Sequence, residues 1–455
     1  MIETTAYGKM REGTVKKVKD IVRVVALLAL GAPGTAVGPV GRSAVGAASA
    51  AHLPCPNGVV SPDHLDLRYA GLGGIAAVSP RDVWSVGAAG ITGTTRIVPL
   101  IEHYDGRIWC SVDPHSQGEQ LLNAIAALSP RDVWAVGSEI EHWDGLSWAP
   151  VPSPSPGVVP VPVPPGSPPR SHPATLSAVS ASAANNVWAL SSDRAFVERW
   201  DGRRWQQVPL PANVSATLPP AMPVAHPELE QPVLEALATV SVTDTWVAGR
   251  SGPDHNDPWA MHWDGHRWQQ MTLPRSPAPA SYSPALRAVC EETDPQYFEL
   301  PAIAALSHAD VWVAGSQNPG GRAGICPLAF HWDGRHWREA WLVTSPPDLS
   351  RLEDTFSSDS DETGAWELTA MAATPSGHIW LVGDPEQFSL QWDGHTWQLV
   401  YAFTGATMTE GFGVTSLSAA SDSDIWAATD SVPTPWNAFH WDGTTWRGVA
   451  AIPAG

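Results

Sequence analysis

Short apolar runs alternate with turn residues along this chain, and the alternation repeats. In one copy the small-residue run Asn123 to Leu128 is followed by the turn formers Ser129-Pro130-Arg131-Asp132, and then by a second apolar run, Val133 to Gly137. A variable stretch leads to Ile140 to Trp143, and Asp144-Gly145 separates that run from one starting at Trp148. Pro, Ser and Asp favour turns, and Asp-Gly between two apolar runs signals a hairpin, so the unit reads as four antiparallel strands, A to D. Both faces of these strands are largely apolar, as expected for small sheets sandwiched between neighbours.

The unit occurs seven times. Strand B carries a tryptophan at Trp84, Trp134, Trp188, Trp246, Trp312, Trp380 and Trp426, and a WDGxxW element follows each. That element begins at Tyr104, Trp143, Trp200, Trp263, Trp332, Trp392 and Trp441, and closes on Trp109, Trp148, Trp205, Trp268, Trp337, Trp397 and Trp446. A spacing of roughly 45 to 70 residues lies in the range of propeller and solenoid repeats. Four-stranded sheets that must stack until they close predict an all-β fold, a seven-bladed β-propeller with four antiparallel strands per blade. Its repeats fall at about 71–115, 121–152, 174–209, 233–273, 300–342, 367–401 and 413–450, so 71–455 forms one closed domain. Twenty of the 24 tryptophans occupy the repeated positions, which gives them a packing role.

The alternation of xVWxVG with HWDGxxW resembles tectonin and tachylectin-type propellers, and more loosely Asp-box propellers. The likeness covers about residues 70 to 450 and implies a secreted or surface sugar-binding protein. The chain departs from the Asp-box pattern, because its Asp and Gly are adjacent and the expected Ser is His, Arg or Gln. A fold likeness does not assign chemistry. A sialidase-type site would need an arginine cluster and a nucleophilic tyrosine on six blades, whereas this chain has seven units and six tyrosines in all. No copper-site set of tyrosines, histidines and cysteine can be picked out either. The chain is therefore expected not to be an enzyme, with a glycosidase pair of carboxylates in the funnel as the alternative.

Residues 1–50 differ from the rest. Arg11, Lys16, Lys17 and Lys19 precede the apolar run Ile21 to Ala32, and Ala48-Ser49-Ala50 closes the stretch. This is the layout of a secretory signal, with a retained N-terminal anchor as the alternative; residues 51–70 form a short segment before the propeller. Four cysteines fit an exported protein, and neighbouring ones are expected to pair, Cys55 with Cys110 and Cys290 with Cys326, although sequence allows three connectivities. The formal charge of −20 excludes the basic stripe that nucleic acid requires. A monomer whose partner is a glycan or protein at the cell surface is expected.

In such a blade the A–B and C–D turns leave on one face, and the B–C and D–A connections on the other. The second set is long and irregular, over 88–100, 149–173, 206–232, 250–259, 269–299, 316–328, 342–366 and 429–437. Loop variety on a rigid scaffold is where binding sits. Of the tryptophans outside the pattern, Trp341 falls in or just after a D strand, while Trp259, Trp366 and Trp436 fall at loop ends and are the ligand-binding candidates, with capping of their own loops as the alternative.

Five histidines precede the WDG-position aromatic (His103, His142, His262, His331, His440). Symmetry keeps them on separate blades, so they read as hydrogen-bonding groups rather than a metal ring. The Asp before VW reads as a turn former. The proline-rich stretch 150–169 reads as an extended polyproline excursion. No cofactor is expected. Asp359 and Asp361 in an acidic loop are the one calcium candidate, though the EF-hand spacing is absent.

Overall fold

A computed structural model describes residues 67–449 outside the segments 92–93, 95, 113–120, 155–157, 162–169, 174, 192–195, 212–213, 215–232, 252–256, 292–296, 319–325, 343–366, 385–387, 402–412 and 431–437. Residues 1–50, where an export signal or anchor is expected, lie outside the described residues, as do Cys55, Trp366, Trp436, Asp359 and Asp361.

Seven four-stranded antiparallel sheets form a closed ring, with blades at 67–111, 122–150, 178–208, 233–272, 297–339, 367–401 and 414–449. In blade 2 the strands are Leu122–Ser129, Asp132–Gly137, Ile140–Trp143 and Trp148–Pro150, hydrogen-bonded in sequence order. Every described blade strand pairs only within its own unit, so the ring closes by packing of blade 7 on blade 1 rather than by an exchanged strand. Side chains of the innermost strands join the two blades there. Thr415 Oγ1 donates to the Leu72 carbonyl (2.8 Å), and the backbone N–H groups of Ile75 and Ala77 donate to Ser416 and Ser418 (3.3 and 2.9 Å). The same device joins other blades, with Asn123 donating to the Leu176 carbonyl and Thr239 N–H to Ser180; between blades 5 and 6 a strand-B side chain, Ser316, accepts from Leu368 N–H.

The strand-B tryptophan of each blade faces the next blade, where it meets both tryptophans of the WDGxxW element. Trp84 lies 5.2 Å from Trp143 and 5.5 Å from Trp148 between ring centroids, tilted against one and edge-on to the other. Trp426 of blade 7 meets Tyr104 and Trp109 of blade 1 in the same way. Aromatic pairs prefer such offset and edge geometries, and the indoles thereby form the glue between blades.

The C–D hairpin differs from a two-residue Asp-Gly turn. Trp143 pairs with Trp148 across a four-residue loop, and Asp144 Oδ1 accepts N–H bonds from Leu146 and Ser147 (2.8 and 2.9 Å). Gly145 sits at φ 94°, a conformation that other residues rarely adopt. The spacing of Asp, Gly and the closing Trp is thus fixed by a carboxylate that caps its own turn.

The glycine three residues after the strand-B tryptophan has a different cause, as Gly315 of blade 5 shows. Strand A carries an irregularity between Glu299 and Ala302, and this brings the Glu299 carbonyl oxygen to within 1.7 Å of where a Cβ on Gly315 would stand. Gly315→Ala is expected to destabilise the protein by about 1–3 kcal/mol, read as a lower urea midpoint, because backbone must move to admit the methyl group. An unchanged midpoint would mean that the close approach is not fixed.

Several connections are shorter than the sequence implies. Strand B of blade 1 runs to Ile91 and strand C begins at Ile97, while in blade 4 the two extend to Ser251 and from Asp257. Part of the proline-rich stretch is also regular: Val158–Val161 pairs antiparallel with Arg170–Pro173, in place of a polyproline excursion at these ends. A two-stranded ribbon tolerates Pro160 and Pro173 because each strand is an edge. A single seven-residue helix, Pro284–Cys290, occurs among the described residues. No described helix is long and apolar enough to cross a membrane.

Candidate functional site

The two faces of the ring differ in kind. On one, the A–B turn in most blades is a two-residue link closed by pairs such as Ser129 with Asp132, and the C–D turn keeps the four-residue Asp-Gly form throughout. On the other, B–C connections range from 138–139 in blade 2 to 430–437 in blade 7, and D–A connections from 112–121 to 340–366.

On the regular face, the Asp that opens strand B is the hub of a repeated cluster. Asp132 Oδ1 accepts from His142 Nε2 (2.8 Å) and from Trp134 Nε1 (3.0 Å), and the His142 ring stacks on Trp134 with centroids 4.2 Å apart. His103, His262, His331 and His440 make the same bond to Asp82, Asp244, Asp310 and Asp424. In blade 3, Asn186 and Arg199 take the two roles, and the guanidinium sits over Trp188. Each histidine is thus bound within its own blade, and the repetition is structural.

The turn aspartates are held ionised. Two Thr444 and Thr445 N–H groups and the Thr444 hydroxyl, the largest influence, bring the exposed Asp442 carboxyl down to about 2. Backbone N–H donors likewise hold Asp144, Asp201, Asp264, Asp333 and Asp393 below the usual range.

On the irregular face, the segment leaving blade 4 folds back over blade 5. Leu273, Ala278 and Tyr282 are buried there, Tyr282 Oη donates to the Leu342 carbonyl (2.6 Å), and its ring meets Trp341 edge-on at 5.7 Å. The disulfide Cys290–Cys326 ties the helix to strand C of blade 5, the local pairing that the sequence implies. Cys110 is disulfide-bonded too, to a partner outside the described residues. Beneath the disulfide, Arg275 pairs with the buried Glu339 (3.4 Å) and donates to the Cys290 carbonyl (2.8 Å) and to Gln317. Burial raises the Glu339 carboxyl, and Arg275 opposes the rise. This network fixes the strap and leaves neither charge free.

Of the three candidate tryptophans, Trp259 is within the described residues. It lies in strand C of blade 4, paired with Gly249, and is 3 % exposed among Leu237, Val214 and Val247. It was expected at a loop end; longer pairing of strands B and C takes it into the interblade core, so it caps the core and offers no face to a ligand in this structure.

Three features were not read from the sequence. Strand C of blades 1, 2 and 3 buries Glu102, Glu141 and Glu198 completely, at the register where blades 4 to 7 carry Met261, Phe330, Leu390 and Phe439. Burial pushes Glu102 up to about 8, with the Ser111 hydrogen bond (2.7 Å) pulling the other way. Glu235 and Arg250 pair at 3.2 Å beside the blade 5 backbone. His308, in the A–B turn of blade 5, approaches Asp244 of blade 4; its signal was a histidine standing where the corresponding turns have Pro80 and Pro130.

No protein-family model matches the chain, and no curated protein matches it. Among solved structures it is similar to YCF48 bound to D1 peptide, at 14% identity over 80% of this chain and 93% of that one, with a TM-score of 0.45. Virginiamycin B lyase from Staphylococcus aureus is similar at 10% identity over 79% of this chain and 92% of that one, with a TM-score of 0.47. The six-bladed fucose-recognising lectin of Aleuria aurantia is similar at 11% identity over 86% and 98%, with a TM-score of 0.42. Overlaps at this level say nothing about ligand or reaction.

Proposed function

We propose that the protein is an exported, non-catalytic, monomeric binding module that recognises a carbohydrate or another cell-surface ligand through the face carrying its B–C and D–A connections. The observation behind this reading is the contrast between faces: one repeats a hydrogen-bonded cluster and a capped turn blade after blade, while the other holds nearly all variation in length and composition. A rigid ring that varies on one side has the form of a recognition surface. The disulfide between Cys290 and Cys326 favours an oxidising compartment. The tectonin-like motif makes sugar the first ligand class to try.

A glycan array with the parent protein and its Trp366→Ala and Trp436→Ala variants tests the reading. Glycan binding by the parent that drops at least tenfold in one variant is expected, since an indole stacking on a sugar ring supplies much of such a contact. No glycan binding by the parent, or binding unchanged in both variants, refutes the lectin site and leaves a protein-interaction scaffold.

A further inference from the structure

We propose that Asp244, His262 and His308 bind a divalent transition-metal ion, zinc by ligand chemistry, at the junction of blades 4 and 5. The three residues bring one carboxylate and two imidazoles together, with ligand atoms all within 4.8 Å of one another. His262 Nε2 lies 2.9 Å from Asp244 Oδ1, and His308 Nδ1 lies 3.6 Å from Asp244 Oδ2. Zinc bonds of about 2.0–2.2 Å in a tetrahedral arrangement place ligand atoms roughly 3.3 Å apart. The two histidines face different oxygens of Asp244, and with one ligand atom from each residue inside 4.8 Å, a small side-chain rotation brings the three to that spacing.

The site is distinguished by its third ligand. A His–Asp pair occurs in five blades, and a pair alone is accounted for by the hydrogen bond it makes. At the turn position facing such a pair from the next blade, the chain places Pro130, Ala184 and Pro80 opposite the pairs of blades 1, 2 and 7, residues with no side-chain donor atom, and Val242 opposite Asn186 and Arg199 of blade 3. Asp422 occupies it in blade 7, where it meets His378 at 3.0 Å with no third histidine, cysteine or carboxylate. Only at blades 4 and 5, among the described residues, does the turn complete a set of three.

Two ligands are already fixed in place. Trp246 Nε1 donates to Asp244 Oδ1 (2.8 Å), and the His262 ring stacks on Trp246 at 4.3 Å. Such outer partners orient metal ligands and hold their geometry. His308 is two-thirds exposed on its turn, so side-chain rotation suffices to bring its ring onto the ion. The ion would displace the proton shared between His262 and Asp244, and a coordination position would remain open toward solvent beside His308. Because the ligands come from two blades, the metal would also join blades 4 and 5 on the face opposite the one the disulfide strap covers.

The test uses the full chain, stripped with EDTA and dialysed against Zn²⁺ at pH 7.5, beside His308→Ala and His378→Ala. The chain has 16 histidines, so the reading is the difference between proteins. His308→Ala is expected to take up one equivalent less than the parent, or to bind it more than about 100-fold more weakly, beyond the 10–100-fold that loss of an outer partner costs. His378→Ala is expected to match the parent. Co²⁺ is expected to give the parent a visible ligand-field absorption that His308→Ala lacks, with both proteins keeping the same circular dichroism. Equal uptake and equal Co²⁺ spectra in parent and His308→Ala, or no uptake by either, would overturn the site and leave a surface hydrogen bond.

Discussion

Trp312→Ala is expected to lower stability by about 3–5 kcal/mol, the range for deleting a buried tryptophan. The indole is 2 % exposed and stacks on His331 at 4.3 Å. It also meets Trp392 and Trp397 of blade 6 at 5.1 and 5.5 Å, and its Nε1 donates to Asp310 (3.0 Å). Alanine removes all of these contacts at once and leaves a cavity at the seam between two blades, which neither blade can close without shifting its sheet. Urea denaturation provides the measurement, with a lower midpoint at an unchanged slope marking a true stability change. Leu146→Ala, at an exposed turn position, is the matched control and is expected to stay within about 0.5 kcal/mol. A loss below about 1 kcal/mol at Trp312 would mean that the repeated tryptophans are not what holds the ring.

The result at Trp312 bears on how the chain is read, because the same residues first look like a stacking motif for a ligand. Their number and spacing give the architecture, since a strand period bounded by Ser-Pro-Arg-Asp and Asp-Gly leaves one way to build each blade. The pairing of Cys290 with Cys326 was legible for the same reason, both cysteines flanking one unit.

What escaped the sequence depends on contacts between distant segments. Trp259 looked like a loop residue because strand ends are set by the partner strand, and pairing with Gly249 carries strand C past it. His308 and Asp244 belong to different units, so no local spacing announces that they meet. Glu102, Glu141 and Glu198 sit at positions where a polar letter reads as solvent-facing, yet each is fully buried. In blade 3 the reason is visible, because Ser153 from the segment leaving blade 2 donates to Glu198 (2.5 Å).

Glu102 opposes the turn aspartates in its effect on stability. Asp442, held at about 2 against an ordinary 3.8, contributes stability that is present above the ordinary value and lost as pH falls through the lower one. Glu102 acts in the reverse sense. Its folded-state value of about 8 stands above the ordinary 4.5, so between those limits the folded protein holds a proton that the unfolded chain has released. Stability therefore falls as pH rises from 4.5 to 8 and levels off above, by an amount on the order of 5 kcal/mol at about 1.4 kcal/mol per pH unit. The cause is structural: one carboxylate oxygen, Oε2, is buried without a hydrogen-bond partner. Glu102→Met, which installs the side chain that blade 4 carries at this register, is expected to abolish that slope. The variant should be more stable than the parent at pH 8, by several kcal/mol less the loss of the Ser111 bond, and lose the advantage near pH 5. Urea midpoints at the two pH values give the comparison, and parallel pH profiles for parent and variant would show that Glu102 does not carry the proton.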